Sequence, residues 1–115
     1  MIVYGIPNCN TVKKALDWLK ENQIDYVFHD YKKKGINKEK LEEWAAQVGW
    51  EHLINKKGTT WRKLSPERQQ SIANKQAAFD LIIQNPSVTK RPIVESKNKI
   101  ICIGFDEAQY AQTLK

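Results

Sequence analysis

With only two cysteines in 115 residues, Cys9 and Cys102, the chain cannot build a disulfide framework. They read as free thiols of a reducing compartment. Histidine is equally scarce. His29 and His52 stand alone, with no Cys, His or carboxylate at ligand spacing, so no metal is expected. No apolar run approaches the roughly 20 residues that cross a bilayer, so no membrane partner is expected. Met1-Ile2-Val3-Tyr4-Gly5 has neither the basic region nor the long apolar stretch of a secretion signal, which together with free thiols points to the cytoplasm. Acidic residues are outnumbered, 13 against 19 Lys and Arg, for a net charge of +6. The excess is scattered. Its one tight run, Lys32-Lys33-Lys34, reads as part of a loop, and no nucleic-acid-binding motif accompanies it, so a solvated surface is expected. Five Gly and four Pro form no linker or low-complexity tract, and there is no internal repeat. A length of 115 residues suits a single domain, 1–115.

What is present is an ordered α/β pattern. Ile2-Val3-Tyr4 is β-branched and aromatic and closes at Gly5-Ile6-Pro7-Asn8, which reads as a strand and turn. Val12, Ala15, Leu16 and Leu19 then recur at helical spacing, predicting a helix over about 10–22. Tyr26-Val27-Phe28 reads as a second strand, so the first third is a βαβ unit with a parallel pair. Asn37 is an N-cap for a helix carrying Leu41, Trp44, Ala45 and Val48, stopped by Gly49, and Trp50 to Ile54 reads as a further helical turn. Asn55 to Leu64 is polar and reads as a loop. Ser65-Pro66 caps a helical stretch to about Gln84, broken near Asn74 and ended by Asn85-Pro86. Pro92-Ile93-Val94-Glu95 and Lys99-Ile100-Ile101-Cys102-Ile103 read as strands joined by Ser96-Lys97-Asn98, and Asp106 with Gln109 forms a capping-box pair for a last helix. The order is βαβ, then helices, then ββα. This is a thioredoxin-like arrangement with a helical insertion at about 37–85.

Cys9 is the candidate centre. A thiol attacks only as its thiolate, and Cys9 precedes the first helix, where unpaired N–H groups and the helix dipole favour an anion. That contribution is about 0.3–1 kcal/mol, reaching roughly 2 at best. Further activation needs a cation or direct hydrogen bonds to sulfur. Arg91, just ahead of Pro92, is the candidate cation: in thioredoxin-like folds a cis-proline in this place faces the active cysteine. The alternative pairs Arg91 with a surface carboxylate and leaves Pro92 to open an edge strand. Asn8, Asn10 and Thr11 surround Cys9 with polar groups, which disfavours the reading of a small buried hydrophobe. Cys102, between Ile101 and Ile103, reads as core. Since Asn10-Thr11-Val12 follows Cys9, no Cys-x-x-Cys partner is at hand, and an adduct on Cys9 requires an outside thiol such as glutathione or a glutaredoxin.

These residues together resemble the arsenate reductase (ArsC) family, and within it the YffB-like group, itself related to the Spx and MgsR regulators. The resemblance spans nearly the whole chain. It rests on Tyr4-Gly5-Ile6-Pro7-Asn8-Cys9-Asn10-Thr11 with Lys13-Lys14-Ala15, on Phe28-His29-Asp30-Tyr31-Lys32, on Gly58-Thr59-Thr60-Trp61-Arg62-Lys63-Leu64, on Lys90-Arg91-Pro92 and on Ile103-Gly104-Phe105. It implies a nucleophile at Cys9 and an arginine at Arg91, with no bound cofactor and glutathione as co-substrate. The family's arsenate reductases hold the oxyanion with three arginines. Arg91 matches one, but Asn55-Lys56 and Ile103-Gly104 occupy the places of the others, and lysine is not an equivalent planar fork. A small thiol substrate, such as a glutathione mixed disulfide, is therefore expected ahead of arsenate. Asn8, Asn10, Thr11, Thr60, Arg62 and Pro92 are the candidate substrate contacts. Thr60 and Arg62 would form a lip reaching the glutathione carboxylates; alternatively Trp61 packs into the core and Arg62 is solvated. The competing functions are an Spx-like regulator acting on RNA polymerase and a true arsenate reductase.

Overall fold

The computed structural model describes residues Met1–Lys115. In chain order the elements are β1 (Ile2–Gly5), α1 (Asn10–Glu21), β2 (Val27–Asp30), α2 (Tyr31–Lys34), α3 (Lys38–Val48), a 3₁₀ turn (Trp50–Leu53), α4 (Thr59–Arg62), α5 (Pro66–Ser71), α6 (Lys75–Gln84), a 3₁₀ turn (Pro86–Val88), β3 (Ile93–Ser96), β4 (Lys99–Ile103) and α7 (Glu107–Leu114). None of these helices is long and apolar enough to cross a membrane. The chain divides into two compact units, one of residues Met1–Lys34 with Arg91–Lys115, the other of Gly35–Lys90.

The first unit is the α/β one. Its four strands lie in the order β2-β1-β3-β4. β1 runs parallel to β2, with Val3 opposite Phe28 and Gly5 opposite Asp30, and antiparallel to β3, with Val3 opposite Val94 and Tyr4 opposite Ile93. β3 and β4 form a hairpin whose two-residue turn places Lys97 and Asn98 at positive φ, the geometry that matches the twist of paired strands. The expected βαβ and ββα halves are thus both present. Side chains alternate across each strand, so Val3, Val94 and Cys102 share one face. On that face they join Ala15, Trp18 and Leu19 of α1 and Tyr110 of α7 in one buried core. Trp18 and Phe105 both meet the Tyr110 ring edge-on, with centroids 5.5 and 4.9 Å away. The Tyr110 hydroxyl donates to the Gly104 carbonyl at 2.7 Å, so its polar end is satisfied.

The second unit is helical. Leu41 and Trp44 of α3, Leu53, Trp61 and the α6 residues Ala78, Phe79, Leu81 and Ile82 are all buried. Its helix starts are set locally. Asn37, Ser65 and Asn74 side chains accept the backbone N–H of Lys40, Arg68 and Ala77, each satisfying a donor that the helix cannot. Ile54 and Thr89 form an isolated antiparallel bridge.

Three expectations are corrected. Lys32–Lys34 is helical rather than loop: the Asp30 carboxylate accepts the Lys32 N–H at 2.9 Å and starts α2, burying Tyr31. The polar stretch 55–64 contains the helical turn α4, because Trp61 supplies one apolar anchor that a composition-based reading dilutes among polar neighbours. β2 starts at Val27 and continues through His29 and Asp30, since pairing with all of β1 outweighs their low strand propensity. At the other site end, β3 opens at Ile93; Pro92 lacks an N–H but its carbonyl accepts from Gly104 at 2.8 Å.

Two predictions follow from the packing of the first unit. A Cβ on Gly5 would lie 2.8 Å from Cγ2 of Val12, so Gly5→Ala pushes α1 off β1 and is expected to cost about 1–3 kcal/mol in urea unfolding. Burial pushes the Cys102 thiol above its ordinary value of 9.0, only partly countered by a hydrogen bond with Thr113, and burial likewise pushes the Tyr110 phenol upward. Both groups therefore hold their protons longer folded than unfolded. Their contribution is complete below the unfolded values and is lost as pH rises from about 9 through the folded ones. The urea midpoint should fall between pH 8 and pH 10.5, and fall less in Tyr110→Phe; an equal fall in both proteins would refute the assignment.

Candidate functional site

The carboxyl ends of β1, β2 and β4 and the amino end of β3 all emerge from one end of the sheet, because β3 alone runs against the others. That end gathers the loop Ile6–Asn8 with Cys9, the Arg91-Pro92 pair and Gly104. Cys9 is the N-cap of α1, with extended backbone (φ −107°, ψ 124°), and its carbonyl accepts the Lys13 N–H at 3.0 Å. Its thiol makes no capping hydrogen bond, and the residue is half-buried. The first turn of α1 contains no acidic side chain, so no carboxylate there offsets the positive helix end. Cys9 thus opens α1 as a partly exposed residue whose side chain caps none of the helix's first N–H groups.

Arg91 is half-buried and Pro92 buried, joined by a cis peptide bond. The Pro92 carbonyl, bonded to Gly104, fixes this segment to the end of β4. Asn8, Asn10 and Thr11 flank Cys9 and are exposed. Thus Cys9, Asn8, Asn10, Thr11, Arg91 and Pro92 all belong to the first unit. Thr60 and Arg62 belong to the second. There Thr60 shares a hydrogen bond with the Ser87 hydroxyl at 2.9 Å, Trp61 is buried and Arg62 is exposed. Cys102 is buried in the core of the first unit, so Cys9 is the thiol that solvent reaches. No three His, Cys, Asp or Glu side chains gather as a metal site would require.

Sequence reasoning missed one buried polar network. Glu95, 2% exposed, accepts a hydrogen bond of 3.0 Å from the Tyr4 hydroxyl. Tyr4 also stacks near His29, with ring centroids 4.7 Å apart, and Tyr31 lies 6.2 Å from Tyr4. Register places Tyr4, His29, Ile93 and Glu95 on the sheet face opposite the α1–α7 core. A carboxyl group is retained in such a place only with hydrogen-bond partners. The one signal in the sequence is period two: Glu95 follows Ile93 by two residues and must share its face.

The ArsC family model matches residues 4–113. Among solved structures, a YffB protein superposes with a TM-score of 0.90 at 39% identity, covering 99% of this chain and 98% of that one. The solution structure of an arsenate reductase (ArsC) related protein from Brucella melitensis has a TM-score of 0.78 at 43% identity, covering 99% and 93%. An uncharacterized protein of Haemophilus influenzae is 43% identical over 94% of this chain and 93% of its own length. The global transcriptional regulator Spx of Lactiplantibacillus plantarum is 25% identical over 99% of this chain and 86% of its own. With a family match across nearly its full length and a thioredoxin-like fold shared with these structures, the chain belongs to the ArsC family.

Proposed function

We propose that the chain is a glutathione-dependent thiol–disulfide reductase with Cys9 as its nucleophile. The observation that carries this reading is the placement of Cys9: a solvent-reachable thiol at the N-cap of α1, free of capping bonds, at the sheet end where Arg91-Pro92 enters β3. In the proposed cycle the Cys9 thiolate attacks the glutathione sulfur of a mixed disulfide. A Cys9–glutathione disulfide forms, and the substrate sulfur leaves with the bonding electron pair and takes up a proton. A second glutathione thiolate then attacks the glutathione sulfur of that adduct, releasing glutathione disulfide and restoring Cys9. A glutaredoxin thiol can replace the second glutathione. The buried position of Cys102 supports an external resolving thiol, since the chain's other thiol is held in the core.

Arg91 is assigned the stabilisation of the thiolate and of negative charge on the substrate, and Asn8, Asn10, Thr11 and Pro92 its positioning. Thr60 and Arg62 are proposed contacts to the glutathione carboxylates. A single arginine at the sheet end, with Gly104 after β4 and Asn55-Lys56 in the second unit, favours a thiol substrate over arsenate. The second reading, a regulator partnering RNA polymerase, is favoured by the similarity to Spx. It is disfavoured by Val12 where a Cys-x-x-Cys switch would need cysteine.

Incubation with glutathione disulfide followed by mass spectrometry should give one glutathione adduct per chain, on Cys9. The adduct should persist in Cys102→Ser, disappear in Cys9→Ser and be released by free glutathione. Absence of the adduct from the native chain would refute the catalytic role. Arg91→Ala should slow iodoacetamide alkylation of Cys9 at pH 7 by about threefold to tenfold, as expected for losing a cation beside a thiolate. Arg91→Lys should recover part of the loss, and equal rates in all three proteins would break the pairing.

A further inference from the structure

The second unit holds a cavity of about 380 Å³ lined by Lys56, Lys57 and Lys90 together with Glu51, His52 and Asn55. Its walls are fixed by backbone bonds. Ile54, which contributes an apolar wall, bridges Thr89; Lys90 N–H donates to the Leu53 carbonyl at 2.9 Å, and Asn55 N–H to the Val88 carbonyl at 2.8 Å. The chain then turns: the Asn55 side-chain oxygen accepts the Lys57 N–H at 3.2 Å and its carbonyl accepts from Gly58. A side chain at Gly58 would collide with the Asn55 amide, with a Cβ 2.9 Å from Nδ2, so the turn is tight. These constraints bring the lysines of two separate chain segments to one hollow. The Lys56 ammonium also lies 5.6 Å from the Trp61 ring centre.

Charge makes the hollow selective. Three lysines and one glutamate line it, and the Lys40–Glu43 and Lys75–Glu42 ion pairs of this unit involve none of these lysines. A concave site lined by one sign of charge concentrates the opposite ion, and a single charge cannot engage three separated cations. The volume lies at the lower end of the roughly 300–1,000 Å³ typical of small-molecule sites. Ammonium groups accept carboxylate and phosphate oxygens alike, as point charges.

We propose that this cavity binds small organic polyanions carrying two or more carboxylate or phosphate groups. The site uses no residue of the Cys9 mechanism and stands apart from that reading. Isotope-labelled full-length protein would be titrated with citrate, pyrophosphate, acetate and sodium chloride at matched ionic strength, following backbone amide shifts. Citrate or pyrophosphate should give saturable shifts centred on residues 53–58 and Lys90. Acetate should bind at least about tenfold more weakly, and chloride should not saturate. Saturation by citrate alone would assign carboxylates, and by pyrophosphate alone phosphates. Lys57→Gln and Lys90→Gln should each weaken binding by about threefold to tenfold, and Cys9→Ser should leave it unchanged. Overturning results are shifts shared equally with Lys32–Lys34 and Lys97–Lys99, shifts that follow ionic strength only, or native affinity in the double glutamine variant.

Discussion

Strand β1 is paired on both sides, parallel to β2 and antiparallel to β3, and α1 crosses it closely enough that a Cβ at position 5 would lie 2.8 Å from the Val12 side chain. The remainder of the first unit is arranged around this strand. Because β1 ends at Gly5 and α1 starts at Asn10, the four intervening residues must turn the chain back within a short span. That turn sets Cys9 at the helix start. The same antiparallel pairing sends β3 in from the end where β1 goes out, so Arg91 and Pro92 are delivered to that end by topology rather than by sequence proximity. Two segments some 80 residues apart reach one end of the sheet because β1 and β3 pair directly and antiparallel.

The features legible in the sequence are those whose physics is local. Asn37, Ser65, Asn74 and Asp106 accept backbone N–H groups three residues on; Asn37, Ser65 and Asp106 are readable as caps before a helical pattern, whereas Asn74 reads only as a break. Val12, Ala15 and Leu19 marked their helix by spacing, and all three face the core. Cys9 and Arg91-Pro92 were legible as candidates through position and resemblance. What escaped depends on distant partners. α4 is a single turn organised around buried Trp61, and β2 recruits His29 and Asp30 only because β1 lies alongside. Glu95 looks like an ordinary polar strand residue until register sets it within reach of the Tyr4 hydroxyl. The lysine-lined cavity is equally invisible in the chain, since Lys56 and Lys90 are brought together by the Ile54–Thr89 bridge.

The two cysteines illustrate how environment separates identical side chains. Cys102 lies among Val3, Val94 and Tyr110, where an anion would lose its hydration, and burial raises its pKa accordingly. Cys9 keeps solvent contact and adjoins helix N–H groups that the chain does not itself satisfy with a side chain. The difference arises from strand alternation in one case and from helix geometry in the other. It leaves the first unit with one accessible thiol and one inert one.

That separation constrains any redox chemistry. A disulfide requires Cα atoms within about 7 Å and Cβ atoms directed at each other. Cys102 is an interior β4 residue pointing into the α1–α7 core, whereas Cys9 lies beyond the end of β1, at the start of α1. Joining them would mean unpacking the core that holds α1 against the sheet. Under the proposed mechanism, an adduct on Cys9 is therefore resolved from outside, and the rate of that step depends on the attacking thiol and on what surrounds the Cys9 sulfur. Arg91 is the one arginine of the first unit, so under that mechanism selectivity among incoming disulfides rests on its planar cation, on the polar groups of Asn8, Asn10 and Thr11, and on the proposed contacts of Thr60 and Arg62. An oxyanion that needs several forked donors finds only one within the first unit. A disulfide, whose charge develops on one sulfur at a time, needs no more.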